Sequence, residues 1–288
     1  MCDITTAWNF YDKNFLTTKS SRSQVSERGR WNHITNFLGR CKLNDISNLQ
    51  VLELKTHLAS LPLSPQSVRH CLSLLQRVFN KARNLKLYQG DVPAFDMPRF
   101  DNRRVRFLST DEAINLLDTL KAASPLWHDI SLLALLTGLR AGEIFDLRPG
   151  NLNLENKSLH IFDTKSTVSR TIPLNPQACK LLKKCATEKK YGEYIFCQPD
   201  GKKIQQASRK FLNAVEECGL NQKCHDRRNR VVFHTLRHTF ASWLVQEDVE
   251  LNVVSRLLGH ANIQMTMRYA HLSPTKGLDA VSKIRLGA

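Results

Sequence analysis

Between Arg140 and Tyr269 the chain holds several residues whose types and spacing suit the handling of a phosphate-like anion. His234 and Arg237 stand three apart. On a helix that spacing puts both on one face at its start, where unpaired backbone N–H groups already favour an anion. Gly259 closes an apolar run at a position that suits a left-handed helix end, so His260 is expected to emerge in the turn beyond it. Asn262 is placed to cap a third helix that carries Tyr269 and stops before Pro274. Upstream, Thr137-Gly138-Leu139-Arg140-Ala141-Gly142-Glu143 carries an arginine straight out of an apolar segment. A guanidinium cannot shed its charge on burial, so Arg140 must meet a carboxylate or an anion. Glu143 could be its whole partner, or could orient it toward an anion on its other edge.

The elements that must position these residues read as mostly helical. Leu236, Phe240, Trp243 and Leu244 recur at helical spacing and are expected to form the buried stripe opposite His234 and Arg237, leaving the His–Arg face to line a cleft. Val253, Val254, Leu257 and Leu258 mark the next helix. Residues 130–139 are almost uniformly apolar and predict a buried helix, while Ser109 and Glu112 supply a capping box ahead of Ile114, Leu117 and Leu120. From Leu152 to Leu174 the pattern changes to short alternating runs, which predict a hairpin with Lys165 in its loop. Asn175-Pro176 opens a further helix, Tyr194 to Cys197 reads as a short strand, and Phe211, Leu212 and Val215 mark a helix closed by Gly219. His225 to Arg230 is a basic loop.

A second, smaller region precedes these. Residues 1–22 show little periodicity and are expected to be a flexible lead-in. Residues 23–97 predict an all-helical domain, with Trp31, Ile34 and Leu38 on a helix ended by Gly39, then Leu49, Leu52 and Leu58 on a second. Ser64-Pro65 opens a third, with Val68, Leu72, Leu75, Phe79 and Ala82 down one side. Arg69, Arg77 and Lys81 fall on its outward positions, where they either track a DNA backbone or form a solvated face. Residues 98–106, with Arg103, Arg104 and Arg106, read as a basic linker; residues 107–271 form the second domain and 272–288 a tail. The fold class expected is mainly α with a small β-sheet.

Composition narrows the partners. The chain has 288 residues, is 42% hydrophobic and carries a formal net charge of +16, with a pI near 9.7. Two ordinary domains fit that length. A field of that sign draws polyanions, nucleic acid first and membrane surface second. No apolar run approaches the roughly 20 residues of a spanning helix, and no signal-peptide pattern opens the chain, so a cytoplasmic location is expected. The eight cysteines form no Cys-x-x-Cys pair. Cys218, Cys224 and His225 lack metal-ligand spacing, and no metal or cofactor is expected.

The series His-x-x-Arg-His from His234, Leu-Gly-His ending at His260, and Thr-x-x-Tyr-x-His around Tyr269 resembles the C-terminal signature of the tyrosine recombinases, the phage-integrase family. The resemblance implies a helical core-binding domain followed by an α+β DNA breaking-rejoining catalytic domain. It also implies site-specific recombination through a 3′-phosphotyrosyl intermediate without metal or ATP, integrating or excising a mobile element. Only this resemblance singles out Lys165, which occupies the place of the lysine the family carries on a β-hairpin. The site it implies is Arg140, Lys165, His234, Arg237, His260 and Tyr269, with Glu143 in support. Two arginines would hold the non-bridging oxygens of one phosphate and stabilise the charge of a pentacoordinate transition state. Tyr269 would attack phosphorus; ionising a phenol of pKa near 10 at neutral pH costs about 4 kcal/mol, which neighbouring cations and a base, His234, must offset. Lys165 would protonate the leaving 5′ oxygen and His260 would hydrogen-bond the phosphate, although the proton roles of His234 and Lys165 are interchangeable on sequence alone. Family partners follow: double-stranded DNA at specific sites, a homo-tetramer on two duplexes docked through tails such as residues 272–288, and accessory DNA-bending or directionality proteins. Rival readings are a DNA-binding protein of this fold without strand transfer, a type IB topoisomerase, and a helix-turn-helix regulator.

Overall fold

A computed structural model describes residues 2–100, 106–162, 169–222 and 224–273. The chain divides into two compact units, Met1–Asn102 and Arg103–Ala288.

Among the described residues the first unit has four α-helices, α1 (Ile4–Tyr11), α2 (Ser21–Leu38), α3 (Asn48–Ser60) and α4 (Pro65–Asn84), with a π-helical turn at Asp12–Leu16 and a 3-10 turn at Leu43–Asp45. The segment expected as a flexible lead-in is ordered from its first turn. Asp3 accepts from the Thr6 N–H to cap α1, Trp8 stacks on Trp31 at 4.3 Å between ring centroids, and Tyr11 is buried. The buried residues Ile4, Ala7, Trp8 and Tyr11 stand at i, i+3, i+4 and i+7, so this helix of eight residues, just over two turns, carries one apolar stripe that the sequence reading passed over. Helix α2 begins at Ser21, capped by Ser20. On α3 the buried residues are Val51, Leu54 and Leu58, whereas Leu49 and Leu52 are 63% and 50% exposed. Two leucine series share one helix, and the Ser47–Gln50 capping box fixes the start without choosing between them. Helix α4 follows the expected stripe, Val68 to Ala82, and starts as the Ser64–Pro65 cap predicts.

In the second unit α5 (Thr110–Ala123) and α10 (Phe233–Gln246) both pack on α6 (Pro125–Thr137), the helix expected to be buried. The Ser109–Glu112 capping box is formed. Gly138 ends α6 at φ 64°, the left-handed turn that a residue without a Cβ adopts freely, and α7 (Ala141–Phe145) follows Arg140 at once. Three antiparallel strands, β1 (Leu152–Asn153), β2 (Ser158–Ile161) and β3 (Arg170–Pro173), form the sheet in order β1-β2-β3, with Leu159 opposite Ile172 and Ile161 opposite Arg170. The hairpin loop with Lys165 lies outside the described residues, as do Arg103, Arg104 and the tail beyond Ser273. Helices α8 (Pro176–Ala186), α9 (Arg209–Glu217) and α11 (Leu251–Leu258) complete the unit.

Two local expectations change. Tyr194 to Cys197 is not a strand: Ile195 donates to the Leu147 carbonyl and Cys197 makes one isolated bridge with Lys203. Tyr269 rides not on an α-helix but on a 3-10 turn, Met267–Leu272, preceded by another, Ile263–Met265, whose cap is Asn262 as expected. Two runs of three and six residues separated by Thr266 are too short for repeated i→i−4 bonds, and the tighter 3-10 bond serves instead.

Candidate active site

Helix α10 delivers His234, Arg237 and His238. The expected single buried stripe is too narrow a description, because Thr235, Leu236, Arg237, His238, Thr239, Ala241, Ser242 and Val245 are all buried. Thr235, Arg237, His238 and Thr239 are tolerated inside because each finds a partner. Thr235 Oγ1 accepts from the Val232 N–H, and Thr239 Oγ1 accepts from the Leu108 N–H. His234, in the first turn, stays exposed, while Arg237 is only 3% exposed.

Arg237 is received by backbone. Its Nη1 donates to the Gly138 carbonyl at 2.8 Å and its Nη2 to the Leu258 carbonyl at 2.7 Å. Both acceptors sit where helices stop, α6 and α11, whose last carbonyls lack helical partners and form the negative end of the helix dipole. Burial first, then the neighbouring Arg140, push Arg237 from its ordinary value down to about 9. That is still above neutrality, so the guanidinium keeps its charge at pH 7. Among the described residues it has no carboxylate partner.

Arg140 is fixed by the first turn of α7. Its own N–H donates to Glu143 Oε2 at 2.7 Å, its Nη1 to Glu143 Oε1 at 2.8 Å, and its Nη2 to the Gly259 carbonyl at 3.1 Å. Both alternatives left by the sequence are therefore compatible, since these side-chain bonds use two of five guanidinium N–H groups. Glu143 is shared with Arg170 from β3, whose Nη1 and Nη2 reach its two oxygens at 2.9 Å each. Burial opposes the charge of Glu143, but the Arg170 hydrogen bonds and the nearby Arg140 outweigh it and hold the carboxyl below its usual range.

Helix α11 ends at Gly259 (φ 63°, ψ 50°) and His260 leaves the turn as expected. His260 Nδ1 lies 2.8 Å from Thr266 Oγ1. Burial, then Arg237 and Arg140, push this imidazole down to about 4, so it is neutral at pH 7. With Thr266 as donor to Nδ1, the ring's other nitrogen carries the proton and can donate to an anion.

Tyr269 is 5% exposed, and its hydroxyl lies 2.5 Å from His238 Nδ1. His234 is the next ring along, edge-on to His238 at 4.9 Å between centroids. Burial pushes the phenol up to about 12, with Arg268 and Arg237 pulling the other way. The structure thus gathers Arg140, Glu143, Arg237, His260 and Tyr269. The hydroxyl partner it shows is His238, not the expected His234. Sequence reasoning passed over His238, although it lies one turn beyond His234 in the same motif. It also passed over Arg170, whose signal was an arginine inside a short alternating strand.

The candidate DNA-contacting residues are differently placed. Arg69 is exposed. Arg77 donates to Tyr11 Oη and Glu27, Lys81 Nζ sits 4.4 Å over the Phe15 ring, and Arg106 pairs with Glu112. Among the described residues no three His, Cys, Asp or Glu side chains are grouped as metal ligands would be. Cys218 instead meets Thr119 Oγ1, and Cys224 the Asp226 carbonyl.

Comparison with known proteins supplies a family. The integrase of Salmonella phage P22 is 31% identical over 212 residues, 70% of this chain and 53% of that protein. A tyrosine recombinase of Thermosipho africanus is 26% identical over 258 residues, 86% of this chain and 88% of its own length. The chain spans about half of the P22 protein and 61% of a putative integrase of Pseudomonas phage Pf1. Among solved structures, the Tn1549 transposon integrase in complex with a circular intermediate DNA matches with a TM-score of 0.80 at 16% identity, over 98% of this chain and 99% of that one. A lambda integrase dimer bound to a COC′ core site matches with a TM-score of 0.76 at 19% identity, over 91% and 97%. These likenesses show the fold, mainly helical with a small sheet, as the sequence predicts. A model described as the Phage integrase family matches residues 106–276, more than half of the sequence and the whole of the site above, and the chain belongs to that family.

Proposed function

We propose that this chain is a site-specific DNA recombinase that breaks and rejoins DNA through a 3′-phosphotyrosyl bond to Tyr269. The observation that carries the reading is a buried surplus of positive charge next to a buried phenol. Among the described residues, Arg140, Arg170 and Arg237 are set against one carboxylate, Glu143, and Tyr269 lies within range of the Arg237 charge. A scissile phosphodiester between Arg140 and Arg237 would cancel one of the two surplus charges, and the second negative charge of the transition state would cancel the other, so each arginine would be strongest there.

Tyr269 Oη attacks phosphorus, forming the Tyr O–P bond as the bond to the 5′ oxygen breaks. His238, already at the hydroxyl, takes its proton; this assignment replaces His234 as base and leaves His234 to the phosphate. His260 donates a hydrogen bond to the phosphate, and Lys165 protonates the departing 5′ oxygen. The phosphotyrosyl ester conserves the energy of the broken bond, so a 5′ hydroxyl from another strand can displace Tyr269 with no external energy source. Integration or excision of a mobile element, assembly as a tetramer on two duplexes, docking by the tail, help from accessory DNA-bending proteins, a cytoplasmic location and DNA contacts by Arg69, Arg77, Lys81, Arg103, Arg104 and Arg106 belong to the same reading. The family's phage members support it.

The test is covalent capture from a random-sequence library of nicked duplexes with EDTA present, resolved on a denaturing gel. Wild type is expected to yield a protein–DNA adduct and Tyr269→Phe none. Binding without an adduct in wild type would sink the enzyme reading and leave a DNA-binding protein of this fold.

A further inference from the structure

The C-terminal end of α11 offers three consecutive carbonyls, and each receives a guanidinium from a different element. Leu257 takes Arg170 Nε at 3.3 Å, Leu258 takes Arg237 Nη2 at 2.7 Å, and Gly259 takes Arg140 Nη2 at 3.1 Å. Orphan carbonyls at a helix end attract cations, so three like charges can be held close together there. Two of these arginines keep donors for a phosphate. Arg170 is more fully occupied: three of its five N–H groups are used, with both terminal nitrogens on Glu143 and Nε on Leu257, and its side chain is only 11% exposed.

We infer that Arg170 is a positioning residue for Arg140, and this inference rests on the reading of Arg140 as a phosphate ligand. Glu143 has two oxygens and four acceptor directions, and the structure fills them with the Arg140 N–H, Arg140 Nη1, and Nη1 and Nη2 of Arg170. While Arg170 occupies one position on each oxygen, Glu143 gives the Arg140 guanidinium one oxygen only. Without Arg170, Glu143 is free to rotate and take Arg140 in the two-pronged geometry that carboxylates and guanidiniums prefer, which would turn Arg140's donor edge from the phosphate. Arg170 also braces the other side of Arg140, because its guanidinium packs directly on Gly259. A Cβ built there would lie 2.8 Å from the Arg170 Cδ, Nε and Cζ. One side chain thus fixes both acceptors of Arg140, the carboxylate and the Gly259 carbonyl.

The experiment compares single-turnover adduct formation by wild type, Arg140→Ala, Arg170→Gln and Arg170→Lys. Each acts on a captured duplex and on the same duplex with a methylphosphonate at the scissile position. The methyl group removes one charged oxygen and with it part of the need for an arginine. Arg170→Gln is expected to slow adduct formation on the phosphodiester about 100-fold, the scale of a misplaced catalytic group. On the methylphosphonate its deficit should shrink in step with that of Arg140→Ala. Lysine cannot make the two-pronged bond to Glu143, so Arg170→Lys should show the same substrate-dependent shrinkage, and it carries the comparison if the glutamine variant does not fold. A deficit equal on both substrates, or none, would overturn the inference. No adduct from wild type, or an Arg140→Ala enzyme as fast as wild type, would instead overturn the reading beneath it.

Discussion

Glu27 in the first unit and Glu143 in the second are built from the same parts to opposite ends. Each is a buried carboxylate between two cations: Glu27 meets Lys19 at 2.8 Å, Arg77 at 2.9 Å and the Tyr11 hydroxyl at 3.0 Å, while Glu143 meets Arg140 and Arg170. The difference is in where the surplus charge goes. Around Glu27 the cations reach water, with Lys19 32% and Arg77 43% exposed, so solvent screens what the carboxylate leaves uncancelled. Around Glu143, Arg140 is 36% exposed and reaches water too, but Arg170 and an added third guanidinium, Arg237, are shielded from solvent. The first cluster ties α1, α2 and α4 together. Among the described residues the second leaves two positive charges uncancelled, which is the ground for proposing a phosphate there.

The sharpest way to break this contrast is to remove one cation from each. Arg140→Met should lower adduct formation roughly 1000-fold, the scale of losing one transition-state donor, while its melting temperature stays level or rises because a buried repulsion is relieved. Arg77→Met should do the reverse, costing stability and, at DNA concentrations that saturate binding, leaving the per-molecule rate within severalfold. Differential scanning fluorimetry beside single-turnover gels reads both; a stability loss in Arg140→Met matching that in Arg77→Met would erase the distinction.

The next effect is smaller. Glu27→Gln should cost roughly 2 kcal/mol in urea unfolding, the scale of hydrogen bonds to a buried charge. Glu143→Gln should cost at least as much stability, because it leaves three close guanidiniums without their carboxylate, and should also reduce adduct formation about tenfold or more, as the Arg140 guanidinium loses its orientation.

A pH series sharpens the electrostatic half. His260 is depressed from 6.5 to about 4 in the folded chain, so the unfolded chain binds the extra proton between those values. Stability from this group is therefore whole above pH 6.5 and is lost as pH falls toward 4. His260→Asn should flatten that part of the wild-type stability curve; an unchanged slope would remove His260 from the charged cluster. The smallest effect belongs to Arg268, the leading influence pulling the Tyr269 phenol down against burial. Arg268→Met should move the alkaline rise of adduct formation to higher pH by a fraction of a unit, measured over pH 7 to 10.

Why some of this was legible in sequence and some not follows from what each residue bonds to. Arg140, Arg237, His260 and Tyr269 stand at helix ends and turns, and glycines and spacing mark those places in the chain. Glu143 was readable because its partner is three residues away. Arg170 was not, because what it holds is a carbonyl 87 residues distant and a carboxylate 27 residues distant, neither of which leaves a mark beside it. His238 was hidden by its own motif, since His234 and His238 both fit a proton acceptor and only burial tells them apart. In the first unit, the apolar stripe of α1 from Ile4 to Tyr11 spans only two turns, and Trp8 and Tyr11 gain their weight through contact with α2 and α4.

That three arginines rest on backbone carbonyls at the end of one helix makes the site tolerant of substitution but intolerant of frame. The side chains of Leu257 and Leu258 can change without altering the atoms that receive Arg170 and Arg237. One residue inserted within α11 would turn its final carbonyls by about 100° and advance them by about 1.5 Å, scattering all three guanidiniums at once. Within this helix, related chains are thus expected to vary at exposed positions such as Asn252 and Arg256, to keep apolar residues at the buried Val254 and Leu258, and to differ hardly at all in length.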